Sequence, residues 1–507
     1  MQPLLWTKSP FGGGFPRGRG GMWNESWPWW VISIAVAIDI TIRVIAIIVV
    51  PRNRRPTAAT AWLLAIYFIP YIGVLLFLLI GNPRLPRARR KKQDLINETI
   101  AEVTKDLHIG VSGAELPESL ASLVRMNQRL GALPLVGDNG AHLISDYQTS
   151  LDAMADAIRG AREFVHVEFY ILQSDAATDD FFRALEEVAA RGVPVRVLLD
   201  HWANRWKPRY TQTIARLDAM GADWHLMLPV QPLKGRTQRP DLRNHRKLLV
   251  VDNEVAFLGS QNVTDSTYNL PKNIKRGLHW VDLMVRIDGP VVGSVNAVFL
   301  SDWYSETDEV PESVAFAPTE KGSGNLDCQI VPSGPGFEAE NNLRLFLGLL
   351  YAAKRKIMIV SPYFVPDEAL LLAVATACDR GLQIELFVSE EGDQAIVYHA
   401  QRSYYEALLK AGVRIWMYRK PYILHTKSLT IDDDVAVIGS SNMDMRSFGL
   451  NLEISMLVRG EEFVRELHEV EDHYRSLSRE LTLEEWMQQP LRSTVLDNLA
   501  RLTSSLQ

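Results

Sequence analysis

One pattern, His-x-Lys-x4-Asp-x6-Gly-Ser-x-Asn, occurs twice and without a gap in this 507-residue chain, at residues 245–262 and 425–442. The stretches ahead of the two copies match as well. RGAREFVHVEFYIL (159–172) parallels AAKRKIMIVSPYFV (352–365), ARGVPVRVLLD (190–200) parallels DRGLQIELFVS (379–389), and LDAMGADWHLM (217–227) parallels LLKAGVRIWMY (408–418). Equivalent positions recur about 180–194 residues apart. That period is too long for a solenoid, so the chain must build two homologous units. From about residue 135, apolar strand-like runs alternate with helical periodicity, which predicts an α/β architecture for each. Residues two apart in a strand share a face, so each copy projects an imidazole and an ammonium together.

The N-terminal region is of another kind. After Trp23, Trp27, Trp29 and Trp30, residues 31–50 are almost wholly apolar, and residues 58–80 form a second such run with Trp62, Tyr67 and Tyr71. About twenty helical residues cross about 30 Å of hydrocarbon, so each run is long enough to span a bilayer, whereas a signal peptide's apolar stretch is about 7–15 residues and would not be followed by a second span. Asp39 and Arg43 lie on one face of the first span, where they are expected to pair and face the second. Arg52, Arg54 and Arg55 mark the loop; Lys8, Arg17 and Arg19 precede the first span, and Arg84, Arg87, Arg89, Arg90, Lys91 and Lys92 follow the second. The excess on the terminal side predicts both termini, and everything after residue 92, in the cytoplasm. The cluster at 84–92 is expected to rest on anionic headgroups, at about 1 kcal/mol per charge.

Residues 1–92 hold thirteen Lys and Arg against Glu25 and Asp39, while the whole chain carries −6, so the remaining body is acidic and ill suited to nucleic acid. Two cysteines, Cys328 and Cys378, exclude a disulfide framework or a Cys-rich zinc module. The organisation expected is a tail (1–26), two transmembrane helices (27–82), a basic juxtamembrane segment and linker (83–134), a first lobe (135–304), a polar linker (305–325), a second lobe (326–480) and an amphipathic C-terminal segment (481–507). The last could lie on the bilayer or dock on the body.

The duplicated His-x-Lys-x4-Asp motif resembles the signature of the phospholipase D superfamily, over roughly residues 135–480. The hairpin with PTAATAWLLAIYFIPYIGVLLFLLIG resembles that of the bacterial cardiolipin synthase branch. The resemblance implies two α/β/α lobes about a pseudo-twofold axis, with one active site at their interface. It implies phosphodiester exchange through a covalent phosphohistidine, with no metal and no cofactor. It also implies a multi-pass protein of the bacterial plasma membrane that joins two phosphatidylglycerol molecules into cardiolipin and releases glycerol.

Such chemistry needs a nucleophile, a proton donor for the departing alkoxide, and cations around the phosphoryl oxygens. His245 and His425 supply the first two; by resemblance His245 attacks and His425 protonates. Lys247 and Lys427 would neutralise the non-bridging oxygens, and Asn262 and Asn442 would add hydrogen bonds. Asp252 and Asp432 complete the motif's catalytic set, although their place within it suits structural partners better. A nucleophilic imidazole also needs a carboxylate on its other nitrogen. By resemblance, Asp282 is expected to orient His245 and Glu453 to orient His425. His166, His201, His225 and His279 read as hydrogen-bonded core residues, and Tyr404 and Tyr405 as packing. The rivals are a hydrolytic phospholipase D with the same residues, a membrane-anchored nuclease, and an inactive scaffold, which the intact motifs oppose.

Overall fold

The computed structural model describes residues 28–502, apart from 53, 55, 82–84, 86, 105–114, 232–235, 238, 312–321 and 338–339, as two units divided after Gly81. The expectations for the tail with Trp23 and Trp27, for Arg55 and Arg84, and for most of the polar linker fall outside the described residues.

In the first unit Trp29–Val49 is one helix of mean hydropathy 2.5. The second apolar run, expected as a single helix, is two, Pro56–Phe68 and Pro70–Ile80. Pro70 has no N–H for the helical ladder, and its ring drives Ile69 out of the helical region, to φ −135° and ψ 70°. Asp39 and Arg43 pair at 2.8 Å, and the guanidinium lies 5.2 Å from the centre of the Tyr67 ring, so the pair does face the second run.

In the second unit a sheet of sixteen described strands runs through both lobes. Its central strands, Leu135–Ile144 and Leu326–Ser333, pair antiparallel, Leu135 opposite Gln329. Outward from this seam the order is mirrored. One side runs Met284–Asp288, Val255–Gly259, Lys247–Val251, Val165–Phe169, Val195–Asp200, Asp223–Met227; the other runs Asn451–Arg459, Val435–Gly439, Ser428–Ile431, Lys356–Val360, Gln383–Ser389, Arg414–Tyr418. The pseudo-twofold relation is thus written into one continuous sheet. The strands are β-branched and buried on both faces because helices cover both. On one face of the first lobe, Tyr147–Arg159 and Asp179–Ala190 bury Leu151, Phe181 and Leu185 against Val165, Val167 and Val197. On the opposite face Val291–Thr307 and Glu461–Ser476 close over a core drawn from both lobes, with Leu248, Val285, Ile438 and Ile454. Each such fully buried side chain contributes about 1.5–3 kcal/mol, so this shared core fixes one lobe against the other.

Arg89 pairs with Glu306 at 2.6 Å, and Lys92 pairs with Asp308. Two of the six charges expected on headgroups are therefore held by the body instead. The C-terminal helix Leu491–Arg501 docks on the body, its Asp497 held by His399 at 2.6 Å and by Arg402 at 3.3 Å. Tyr404 and Tyr405 are buried in the second lobe's core. Of the four lone histidines, His166 and His201 are buried, but His225 is half-buried beside Asp223 and His279 is exposed with Ser266 as partner. His225 lies mid-way along the edge strand Asp223–Met227, where one side of the ring packs on Trp303 and the other stays open, and His279 lies in a surface ribbon.

Candidate active site

Each motif histidine is delivered by a short strand stitched to the opposite lobe. Arg243–Asn244 runs parallel to the start of Asn451–Arg459, and His245 N–H donates to the Leu452 carbonyl at 2.8 Å. Tyr422–Leu424 runs parallel to His279–Val281, and His425 N–H donates to the Val281 carbonyl at 2.7 Å. The next residue along each borrowed strand is the carboxylate. His245 Nδ1 therefore meets both oxygens of Glu453 at 3.0 Å, and His425 Nδ1 meets Asp282 Oδ1 at 2.7 Å. The expected pairing, Asp282 with His245 and Glu453 with His425, is corrected. Each carboxylate orients the other lobe's imidazole, because the strand carrying it crosses the interface to reach that lobe's histidine.

The Gly-Ser of each motif holds these carboxylates. Ser260 Oγ donates to Asp282 at 2.6 Å and Ser440 Oγ to Glu453 at 2.5 Å. The preceding glycines permit it: a Cβ at Gly259 would lie 2.3 Å from the Leu283 carbonyl, and one at Gly439 would lie 2.2 Å from that of Ile454. With Nδ1–H committed to a carboxylate, each ring keeps Nε2 for chemistry.

Both imidazoles line a cavity of about 630 Å³ between the lobes, together with Asn262 and Asn442. The two asparagines are not equivalent. Asn262 accepts from Ile171 N–H at 3.0 Å and donates to Tyr268 Oη at 2.9 Å, whereas Asn442 Oδ1 is buried without a hydrogen-bond partner. Lys247 and Lys427 are buried beneath the floor, each donating to the carbonyl of its own motif histidine, Lys427 at 2.6 Å. Their charges act from below, while Arg243, Arg446, Lys207 and Lys272 line the cavity itself. None of these four stood out in the sequence. Arg243 offered one signal, since Arg243, His245 and Lys247 alternate along one face. Asp241, Asp393 and Asp444 also line the cavity.

Asp252 and Asp432, counted in the catalytic set, are corrected to structural anchors. Asp252 accepts from the N–H groups of Arg162, Glu163 and Phe164, and Asp432 from those of Lys354, Arg355 and Lys356. Each stands five residues beyond its motif lysine, so the intervening strand carries it roughly 16 Å from the reacting end.

Burial dominates the electrostatics. It lowers the pKa of His245 to about 4, against the opposing pull of Glu453, and also lowers that of His425. Desolvation likewise lowers Lys247 to about 7 and Lys427 to about 8. Desolvation opposes ionisation of Glu453 and Asp282, but their histidine partners and nearby lysines outweigh it and hold both carboxyls below the usual range. Two carboxylates, two imidazoles and two cations beneath them surround the space in which an anionic phosphodiester would react. Among the described residues no three His, Cys, Asp or Glu side chains group so as to hold a metal ion.

Comparison with known proteins accords with this geometry. The family model described as cardiolipin synthase, PLD-like domain, matches residues 154–303 and 346–474, and one described as phospholipase D-nuclease N-terminal matches 30–82. The chain is 32% identical to cardiolipin synthase A of Proteus mirabilis over 464 residues, covering 90% of this chain and 94% of that protein. It is 30% identical to cardiolipin synthase A of Wigglesworthia glossinidia brevipalpis, covering 94% and 95%. Among solved structures, phosphatidylserine synthase of Haemophilus influenzae superposes with a TM-score of 0.58 at 15% identity, over 76% of this chain and 99% of that one, a likeness of fold.

Proposed function

The chain belongs to the cardiolipin synthases of the phospholipase D-like family, membrane phosphatidyltransferases acting on phospholipids, and we propose that its two imidazoles divide a two-step transfer between phosphatidylglycerol molecules. In the first step His245 Nε2 attacks phosphorus. The bond to the glycerol oxygen breaks, its electron pair leaves with that oxygen, and His425, entering this step as the imidazolium balanced by Asp282, supplies the proton from Nε2. Glycerol departs and a phosphatidyl–His245 adduct remains. In the second step a hydroxyl of another phosphatidylglycerol gives its proton to His425 and attacks phosphorus. The phosphorus–nitrogen bond breaks, which restores His245 and yields cardiolipin. Lys247 and Lys427 offset the phosphoryl charge in both steps.

The crossed His–carboxylate pairs carry this reading, because they leave two Nε2 atoms for one cavity and join one imidazole from each lobe into a single site. Burial lowers the His245 pKa and so favours its neutral ring, the form that attacks. Transfer rather than hydrolysis predicts one glycerol released per cardiolipin, since an oriented lipid alcohol outcompetes water. Radiolabelled phosphatidylglycerol in proteoliposomes measures this directly; phosphatidic acid as the main product would instead identify a hydrolase.

We further propose that the catalytic body is cytoplasmic and the loop at 52–55 external, from the charge excess flanking the two apolar runs. In intact cells an impermeant maleimide should label Asn53→Cys and spare Arg465→Cys, whose native side chain is 65% exposed. The reverse pattern would invert the orientation.

A further inference from the structure

The mouth of the catalytic cavity is bordered by side chains that water does not favour. Trp202 and Ile396 line the cavity and are also 40% and 62% exposed, which places them at its opening, one from each lobe. Trp206, 67% exposed, extends the first side, its ring centroid 5.9 Å from that of Trp202. Ile274, 58% exposed, projects from the short helix Pro271–Arg276, whose Lys272 and Asn273 line the cavity. Scattered apolar residues on a surface need no explanation, but four large ones around a single opening do.

The charges beside them are cationic. The Arg205 guanidinium lies 5.5 Å from the centre of the Trp206 ring, Lys207 and Lys272 line the opening, and Lys275 follows Ile274. The nearby acids are turned to other work: Asp241 pairs with Arg239, Asp444 accepts from Ser447 N–H at 2.7 Å, Glu391 pairs with Arg276 at 2.5 Å, and Asp393 accepts from Tyr363 Oη at 2.9 Å. Tryptophan flanked by basic residues is the composition that settles at the boundary between headgroups and acyl chains. A protein partner seated here would close the opening, whereas a phospholipid substrate needs an apolar path for its chains as its headgroup reaches the imidazoles.

We propose that this rim is a docking surface for an anionic lipid bilayer: Trp202, Trp206, Ile274 and Ile396 enter the interface while Arg205, Lys207, Lys272 and Lys275 meet its headgroups. The body then sits mouth-down, and lipids pass between bilayer and site without crossing water. This rests on the reading of the enzyme as a phosphatidylglycerol transferase.

The test uses the full chain with Cys378→Ser, Cys328 being buried, in nanodiscs containing phosphatidylglycerol. Nitroxides at Trp206→Cys and Ile274→Cys should collide with oxygen at least threefold more, relative to a water-soluble nickel complex, than one at Arg465→Cys. In parallel, Trp206→Glu with Ile274→Glu should raise KM for phosphatidylglycerol in vesicles about tenfold and leave turnover of monomeric dihexanoyl phosphatidylglycerol unchanged, which also reports intact folding. Water-like accessibility at both rim positions would overturn the proposal. So would shielding from both collision partners, which would place a protein or second copy of the chain on the rim, or equal loss on both substrates. The nitroxide readout needs no turnover, so inactivity of the wild type on the short lipid would count against the transferase reading and not against the rim.

Discussion

A His425→Ala variant given phosphatidyl-p-nitrophenol should release one nitrophenolate per active site in a burst and then stall. The leaving group of this substrate needs no proton, so the first step survives loss of the general acid, but no base remains to activate the acceptor alcohol. The arrested enzyme should carry an acid-labile, alkali-stable phosphatidyl group on the peptide containing His245. On phosphatidylglycerol itself the same variant should lose about 10²–10⁴ in rate, the usual worth of a positioned acid. His245→Ala should give neither burst nor adduct and fall further, by about 10⁴–10⁶, as removal of a nucleophile does. An adduct on the His425 peptide of the His245→Ala protein would exchange the two roles. The pH dependence of the burst follows from the groups involved. The His245 pKa is depressed to about 4, so the ring stays neutral and reactive as pH falls from 7 to 5, and the rate should drop only near 4. As pH rises, Lys247, held at about 7, and Lys427, at about 8, lose the charge that offsets the phosphoryl oxygens, and the rate should decline.

The duplicated motif was legible because its members lie on one local unit. His245 and Lys247 enter a strand, Asp252 opens the turn after it, and Gly259, Ser260 and Asn262 end the return strand, so spacing alone preserves their relation. The apolar N-terminal helix was legible by length, but hydrophobic residues on both sides of Pro70 mask the break there. The carboxylate partners were visible as isolated acids in apolar strands, yet their assignment was not. His245 and Glu453 are 208 residues apart, His425 and Asp282 143 apart, and only the parallel stitching across the interface decides which acid reaches which ring. The basic lining of the cavity was less visible still: Lys207 and Lys272 belong to no repeated stretch, and neither fits a motif. Arg89 and Lys92 misled in the opposite sense, since a run of cations beside a membrane span attracts the lipid reading while Glu306 and Asp308 compete for them from the body.

The crossing makes a prediction that within-lobe pairing reverses. Glu453→Gln should slow the nitrophenolate burst about 10–100-fold, the usual cost of removing an outer partner from a reactive histidine, because the amide no longer fixes the His245 tautomer or balances its developing charge. Asp282→Asn should leave the burst nearly intact, since its partner His425 takes no part in that step, while slowing cardiolipin formation from phosphatidylglycerol by a similar factor. In the His425→Ala background Asp282→Asn should then add little, because the ring it orients is gone, whereas Glu453→Gln should still slow adduct formation in full. Coupling energies from these two double-mutant cycles separate the alternatives, provided each variant keeps its wild-type unfolding temperature. Strong coupling of Glu453 to His425, with none between Asp282 and His425, would mean that each lobe orients its own imidazole. The two lobes would then share a cavity without sharing a catalytic unit. As the structure stands, neither lobe can orient its own histidine, so a catalytically competent half requires the other half to be in register.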